Sequence, residues 1–185
     1  MKDGKIEGVP FRAAADRGGP LAEPRFVVVH YTGGTRFEGA ESTLTAKDDR
    51  YVSAHLLIGR DGAREQLVRL DRVAYHAGRS RWRGLDGLNA YSIGIELVNP
   101  GWKAPGLPAW ETVRAQQSQG GPVRDWYTYP EVQLLALEEV LTVLWAELPS
   151  LEEVIGHEHI APGRKFDPGP AFPWERIRAR FPRRV

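Results

Sequence analysis

"RFVVVH", residues 25–30, is a short β-branched run that ends on a polar side chain. Such a run reads as a buried strand with His30 delivered at its C-terminal end. "YTGG" (31–34) then breaks it. Working outward, "YVSAHLLIGRDGAREQLVRL" (51–70) holds two strand-like runs around Arg60-Asp61-Gly62, and an Asp-Gly turn between such runs signals a hairpin. His55 lies in its first strand. "AYSIGIELVNPG" (90–101) alternates, placing Ile93, Ile95 and Leu97 on one face and Gly94 and Glu96 on the other, until Asn99-Pro100-Gly101 ends it. "TYPEVQLLALEEVLTVLWAEL" (128–148) predicts a helix: Thr128 and Glu131 fit a capping box, Pro130 sits in the tolerant first turn, and Leu134, Leu137, Leu141, Leu144, Trp145 and Leu148 form an apolar stripe. "FPWERIRARF" (172–181) predicts a short terminal helix whose arginines form a solvated face. Strands and helices mixed without repeats imply an α/β fold: a single three-layer domain with a central mixed β-sheet flanked by helices.

The domain is expected over residues 25–185, preceded by an N-terminal extension over 1–24 and interrupted by a long loop insert at about 100–127. That insert shows no hydrophobic period but carries Trp102, Trp110 and Trp126. At 185 residues the chain can bury roughly two thirds of its unfolded surface in one core. A net charge of +1 supplies no field of the kind a dedicated DNA or RNA binder uses. With no cysteine, disulfides, thiolate nucleophiles and Cys-ligated zinc are excluded, so any metal must sit on His, Asp or Glu. The opening "MKDGKIEGVPFRAAADRGG" has no apolar core of signal-peptide length, and no run is long enough to span a bilayer. The expectation is a chain neither exported by an ordinary signal nor embedded in a membrane.

All five histidines, His30, His55, His76, His157 and His159, fall at strand ends or in glycine-containing turns. Neutral imidazole is the commonest metal ligand, and a catalytic zinc needs three protein ligands and one open position. Two of them stand in "GHEHIAPGRKFDPGP" (156–170). The H-E-x-x-H pattern would require histidine where Ala161 stands, and the deaminase pattern requires cysteines. An H-x-H pair on a strand, His157 with His159, stays open.

"VVVHYT", "VSAHLLI", "AYHAG", "LNAYSIGIELVNPG" and above all "GHEHIAPGRKFDPGPAFPW" resemble the bacterial zinc-dependent N-acetylmuramoyl-L-alanine amidases, the type-2 amidase family, in family order over roughly residues 25–180. The resemblance implies that zinc is held by His30, His157 and Asp167, that Glu158 and His159 are not ligands, that Glu96 is the general acid and base, and that Lys165 stabilises the oxyanion. Lys165 and Asp167 are then expected to face the cleft with Phe166 turned away. The branch with a cysteine ligand and a tyrosine near "VSAHLLI" does not fit, since the matching positions read Asp167 and Ala54. Candidates for substrate contact are His55, His76, Trp82 and Asn89, with Trp82, Trp102 and Trp126 also able to stack on sugar rings.

The implied activity is hydrolysis of the amide between N-acetylmuramic acid and the L-alanine of the stem peptide, in peptidoglycan or a muropeptide, by a monomer. A wall-degrading role is expected, including that of a phage or prophage lysin, because "LVNPG" and the tryptophan-rich insert resemble the periplasmic lipoprotein amidases more than the cytoplasmic recycling ones. The alternatives are a cytoplasmic amidase recycling anhydro-muropeptides and a non-catalytic peptidoglycan-binding module.

Overall fold

The computed structural model describes every residue except 16, 48, 50, 105, 106, 108, 109 and 185. In chain order its elements are β1 (Phe26–Tyr31), α1 (Phe37–Thr45), β2 (Leu56–Ile58), β3 (Arg64–Gln66), the short pair β4 (Arg81–Trp82) and β5 (Leu85–Asp86), a 3-10 turn (Leu88–Tyr91) and β6 (Ser92–Leu97). There follow β7 (Thr112–Gln116), β8 (Val123–Tyr127), α2 (Glu131–Glu147), β9 (Glu153–Gly156), α3 (His157–Ile160) and α4 (Trp174–Arg180).

Five strands form one sheet in the order β3-β2-β6-β1-β9, in which β2, β6, β1 and β9 run parallel and β3 returns antiparallel at the edge. β1, apolar over residues 26–29, lies inside the sheet between β6 and β9, because parallel strands need cover on both faces. Val27 and Val29, with Ile93, Ile95 and Leu97 of β6, pack against Leu137, Leu141 and Leu144 of α2. On the opposite face Phe26 and Val28 join Ile155, Leu88 and Ile160. The sheet is therefore the middle of three layers, as the mixed pattern of elements predicts.

Three local expectations change. Helix α2 is capped at Pro130, whose carbonyl accepts from the Leu134 N–H at 3.0 Å, and the capping box does not form. The Thr128 hydroxyl instead donates to the Glu111 carbonyl at 3.2 Å, and Glu131 takes a bidentate pair from Arg176 at 2.6 and 2.8 Å. A guanidinium offers a carboxylate two charge-assisted bonds, a stronger arrangement than one backbone N–H. The arginines of α4 consequently form no purely solvated face, because Arg176 and Arg180 both also bind Glu138, which is buried. Finally, the stretch without a period contains the antiparallel hairpin β7–β8. Val113 and Val123 are exposed there, and beyond Val113 and Ala115 in β7 no sustained alternation betrays the strands; residues 105, 106, 108 and 109 of that stretch lie outside the described ones.

The described residues before β1 run along β3 and the segment after it: Arg12 donates to the Gln66 carbonyl at 2.9 Å, Gln66 to that of Pro10 at 2.8 Å, and Ile6, Ala14 and Leu21 are buried. They cover the open edge of β3, where unpaired backbone groups would otherwise invite another strand. Among the described residues no helix is long and apolar enough to cross a membrane.

The apolar stripe of α2 makes a stability prediction. Leu141 is fully buried whereas Leu135, on the outer face, is exposed. Leu141→Ala should lower the unfolding free energy by about 2–5 kcal/mol, and Leu135→Ala by no more than about 0.5 kcal/mol. Urea unfolding of the two variants checks the pair, and equal losses would contradict the packing of this helix.

Candidate active site

In a parallel sheet, residues paired in register point to the same face. The register pairs His30 with Glu96 and Val29 with Gly156, so His157, the residue after β9, comes level with His30. Three neighbouring strands thus present polar side chains at their C-terminal ends, where ligands bind in open α/β sheets. They open into a cleft of about 780 Å³ whose walls include Tyr31, Tyr51, Tyr75, Trp102 and Lys165.

At the floor, His30 Nδ1 lies 2.9 Å from His157 Nδ1 and 2.9 Å from Asp167 Oδ2, and His157 Nδ1 lies 3.0 Å from that same oxygen. All three residues are buried. The outer partners decide what these atoms are. His157 Nε2 is 3.1 Å from the Ala77 carbonyl, which only accepts, so the proton of the neutral ring is on Nε2 and Nδ1 is a lone pair. The Ser92 hydroxyl donates to the Leu88 carbonyl at 2.6 Å and therefore accepts from His76 Nε2 at 3.3 Å. His76 Nδ1 is then a lone pair, 3.0 Å from His30 Nε2, which must carry the proton. His30 Nδ1 is thereby bare as well. Burial, and then the neighbouring His157, push the His30 pKa down to about 4, keeping it neutral.

Asp167 completes the set with a buried carboxylate oxygen. Two imidazole lone pairs and a carboxylate oxygen converge with no donor between them, which is unfavourable away from water unless a cation joins them. The donor set, His-His-Asp, matches the nitrogen and oxygen ligands zinc accepts, so the residues fit the metal.

Glu96 stands beside this floor. Its Oε2 is shielded from solvent without a hydrogen-bond partner. Burial, followed by the charge of Asp167, pushes its pKa up to about 8, with Lys165 opposing. Lys165 is half-buried on the wall, close enough for its charge to act on both Glu96 and His30. Phe166 is not turned away: it lines the same cleft, its ring 5.9 Å from that of Trp102. Alternation holds along a strand, and residues 165–167 form none.

The remaining expected residues divide. His76 and Asn89 reach the cleft. Asn89 Oδ1 also accepts from the backbone N–H groups of His76 and Ala77, at 3.0 and 2.7 Å, and so braces the turn that supplies outer partners to both floor histidines. His55 does not reach it, and substrate contact by His55 does not fit its place. It is fully buried, its Nδ1 accepts from the Gly94 N–H and its Nε2 donates to the Arg72 carbonyl, both at 2.9 Å. Trp82 packs near His159 outside the cleft, its Nε1 donating to Glu153 at 3.3 Å, and Trp126 is buried. The H-x-H alternative does not fit either. His157 and His159 stand on the helical turn α3, not on a strand, and His159 Nδ1 accepts from the Gly156 N–H at 2.8 Å, away from the cluster.

Sequence reasoning missed Ser92, Gly94 and the Ala77 carbonyl. The signal available was a strand face bearing Ser92, Gly94 and Glu96, where small residues leave room for another group. That group is His76, whose ring occupies the space a Cβ on Gly94 would need.

A family model described as N-acetylmuramoyl-L-alanine amidase matches residues 20–170. The chain belongs to this amidase family. It is 35% identical over 184 residues to the N-acetylmuramoyl-L-alanine amidase AmiD of Escherichia coli K12, covering 94% of this chain and 60% of AmiD. It is 39% identical over 129 residues to the 1,6-anhydro-N-acetylmuramyl-L-alanine amidase AmpD of Salmonella typhimurium SL1344, covering 69% of this chain and 56% of AmpD. Among solved structures, the E. coli AmiD complex with the substrate anhydro-N-acetylmuramic acid-L-Ala-D-γ-Glu-L-Lys superimposes with a TM-score of 0.66 at 32% identity, over 89% of this chain and 61% of that one. The chain thus spans about 60% or less of the length of the two curated relatives.

The tight seat of His76 on the amidase sheet is testable. A Cβ on Gly94 would lie 2.4 Å from His76 Cγ, whereas one on Gly39 would meet nothing within 4 Å. Gly94→Ala should destabilise the protein by about 1–3 kcal/mol through overpacking, while Gly39→Ala in α1 should be neutral or stabilising by up to about 1 kcal/mol. Thermal and urea unfolding would reveal it, and an unperturbed Gly94→Ala would contradict the packing.

Proposed function

We propose that this chain is a zinc hydrolase that cleaves the amide between the lactyl carbonyl of N-acetylmuramic acid and L-alanine of the peptidoglycan stem peptide, acting as a monomer, with residues 1–24 as an extension to a catalytic domain over 25–185. The observation that carries this reading is the meeting of His30, His157 and Asp167 with Glu96 and Lys165 in one cleft of a chain of this family. The three floor residues would hold the metal. Zinc bound there supplies a Lewis acid and lowers the pKa of a water from 15.7 to about 7.

Glu96 lines the cleft beside those residues, and although burial raises its pKa to about 8, the charge of a cation bound there would favour the ionised form that a general base requires. It takes the proton of the attacking water as the oxygen bonds to the carbonyl carbon, then returns that proton to the alanine nitrogen as the C–N bond breaks. The products are the muramic acid carboxyl group and a free amine. The Lys165 ammonium faces the carbonyl oxygen and stabilises the negative charge that develops on it. Tyr51, Tyr75 and Trp102 give the cleft aromatic walls suited to sugar and peptide.

The anhydro-muropeptide in the AmiD complex supports a muropeptide substrate here. A wall-degrading role is the preferred setting, and the match to AmpD favours the recycling of soluble anhydro-muropeptides as the second reading. Digestion of purified sacculi beside soluble anhydro-muropeptide separates them. Release of stem peptides from sacculi at a comparable rate is expected, and activity confined to the soluble compound would favour recycling.

Four variants test the roles. Asp167→Ala should lose zinc and activity together, since two protein ligands cannot hold a catalytic site. His159→Ala should keep its zinc, and turnover should fall by about 100-fold at worst. Metal content after identical dialysis checks both, and an empty His159→Ala beside a loaded Asp167→Ala would falsify the assignment. Glu96→Ala should keep zinc and lose orders of magnitude in kcat. Lys165→Ala should keep zinc with kcat down by about 10²-fold or more; single-turnover rates on the loaded proteins measure both losses.

A further inference from the structure

The insertion between β6 and α2 leans on the loop that carries Lys165 and Asp167. At its base the Trp126 ring occupies the space beside Gly169, where a Cβ would lie 2.6 Å from it, and Trp102 bridges to Phe166 with ring centroids 4.7 Å from Trp126 and 5.9 Å from Phe166. At its tip, between β7 and β8, the contacts are polar. The Ser118 hydroxyl donates to the Glu158 carboxylate. The Gln119 amide nitrogen donates to the Glu158 carbonyl at 2.8 Å and reaches the Lys165 carbonyl at 3.4 Å, while its amide oxygen accepts from the Gly163 N–H.

One primary amide, with donors and an acceptor in a single plane, thus ties together three backbone groups over the 158–165 segment. Beyond that amide, the segment is held by the Arg164 guanidinium, which donates to the Ala77 and Arg79 carbonyls at 2.9 and 2.6 Å, and by its own turn. Residues 162–164 are exposed, Gly163 has a φ of +74°, and the turn's own bonds are those from Arg164 and Lys165 to the Ala161 carbonyl at 3.1 and 3.0 Å. Lys165 projects from the end of this turn on a long, flexible side chain. The floor groups have further anchors: His30 and His157 are held by His76 and Ala77, and the Asp167 carbonyl accepts from the Glu158 N–H at 2.9 Å.

We infer that Gln119 is a positioning residue, whose amide fixes the 163–165 backbone so that the Lys165 ammonium stays over the cleft. The inference rests on the proposed oxyanion role of Lys165. Because Gln119 touches the lysine's turn and none of the three floor side chains, its loss should reach the rate and leave the metal in place.

A double-mutant cycle on the zinc-loaded full chain, with soluble anhydro-muropeptide as substrate, tests this. The proteins are the parent, Gln119→Ala, Lys165→Ala and the double variant, with zinc affinity read by chelator competition. Gln119→Ala should lower kcat by about 10-fold or more, misplacement by about 1 Å being able to remove about 100-fold, with KM and zinc affinity within about twofold of the parent. In the Lys165→Ala background the same substitution should change kcat by less than about twofold, because coupled residues are non-additive. Gln119→Glu, which keeps the length but sets a carboxylate against the Glu158 and Lys165 carbonyls, should slow turnover in the same way. A parental rate for Gln119→Ala, an equal loss in both backgrounds, or loss of zinc would overturn the inference alone. A near-parental Lys165→Ala would overturn the oxyanion role, and the inference with it.

Discussion

Two imidazole nitrogens and a carboxylate oxygen sit 2.9–3.0 Å apart at the end of a parallel sheet, buried and without a proton to share. Each is made an acceptor from behind. The Ala77 carbonyl fixes the proton of His157, and a chain running from the Leu88 carbonyl through Ser92 and His76 fixes that of His30. Histidine tautomers are set by whatever the second nitrogen meets, so these outer bonds aim both lone pairs at one point. Much of the surrounding structure serves that aim: Gly94 leaves room for His76, Asn89 holds the 76–77 turn, and the parallel register brings β1, β6 and β9 to a common level.

The same geometry separates the chemical roles. Asp167 Oδ2 meets both floor imidazoles, while Glu96, two strand positions beyond Gly94 and without such partners, is pushed by burial toward holding its proton. The two carboxylates therefore sit in different environments, the pattern expected when one binds a cation and the other moves protons. The family relationship and the site chemistry both support the proposed amide hydrolysis, and they rest on different observations.

The sheet was legible in the sequence because its signals are local. β-branched runs, the Asp61-Gly62 turn and the alternation of Ile93, Ile95 and Leu97 each declare a strand within a few residues. The stripe of α2 declares a helix in the same way. Hairpin β7–β8 was not legible, because its strands are largely exposed, β7 alternates only at Val113 and Ala115, and β8 does not alternate. The capping box failed for a related reason: Glu131 finds Arg176, a partner forty-five residues away that no local pattern names. The histidines were legible as a set, but local spacing left His159 as a possible ligand. Only the turn geometry of α3, which sends its Nδ1 back to the Gly156 N–H, places it outside the cluster.

The central claim is that His30, His157 and Asp167 hold one zinc ion through the atoms that the outer hydrogen bonds leave bare. Anomalous diffraction across the zinc absorption edge, from crystals of the zinc-loaded protein, tests it most directly. The account predicts a single strong peak about 2.0–2.2 Å from His30 Nδ1, His157 Nδ1 and an Asp167 carboxylate oxygen. A peak bound through an Nε2 atom, a peak at His159, or no peak at this floor would contradict it.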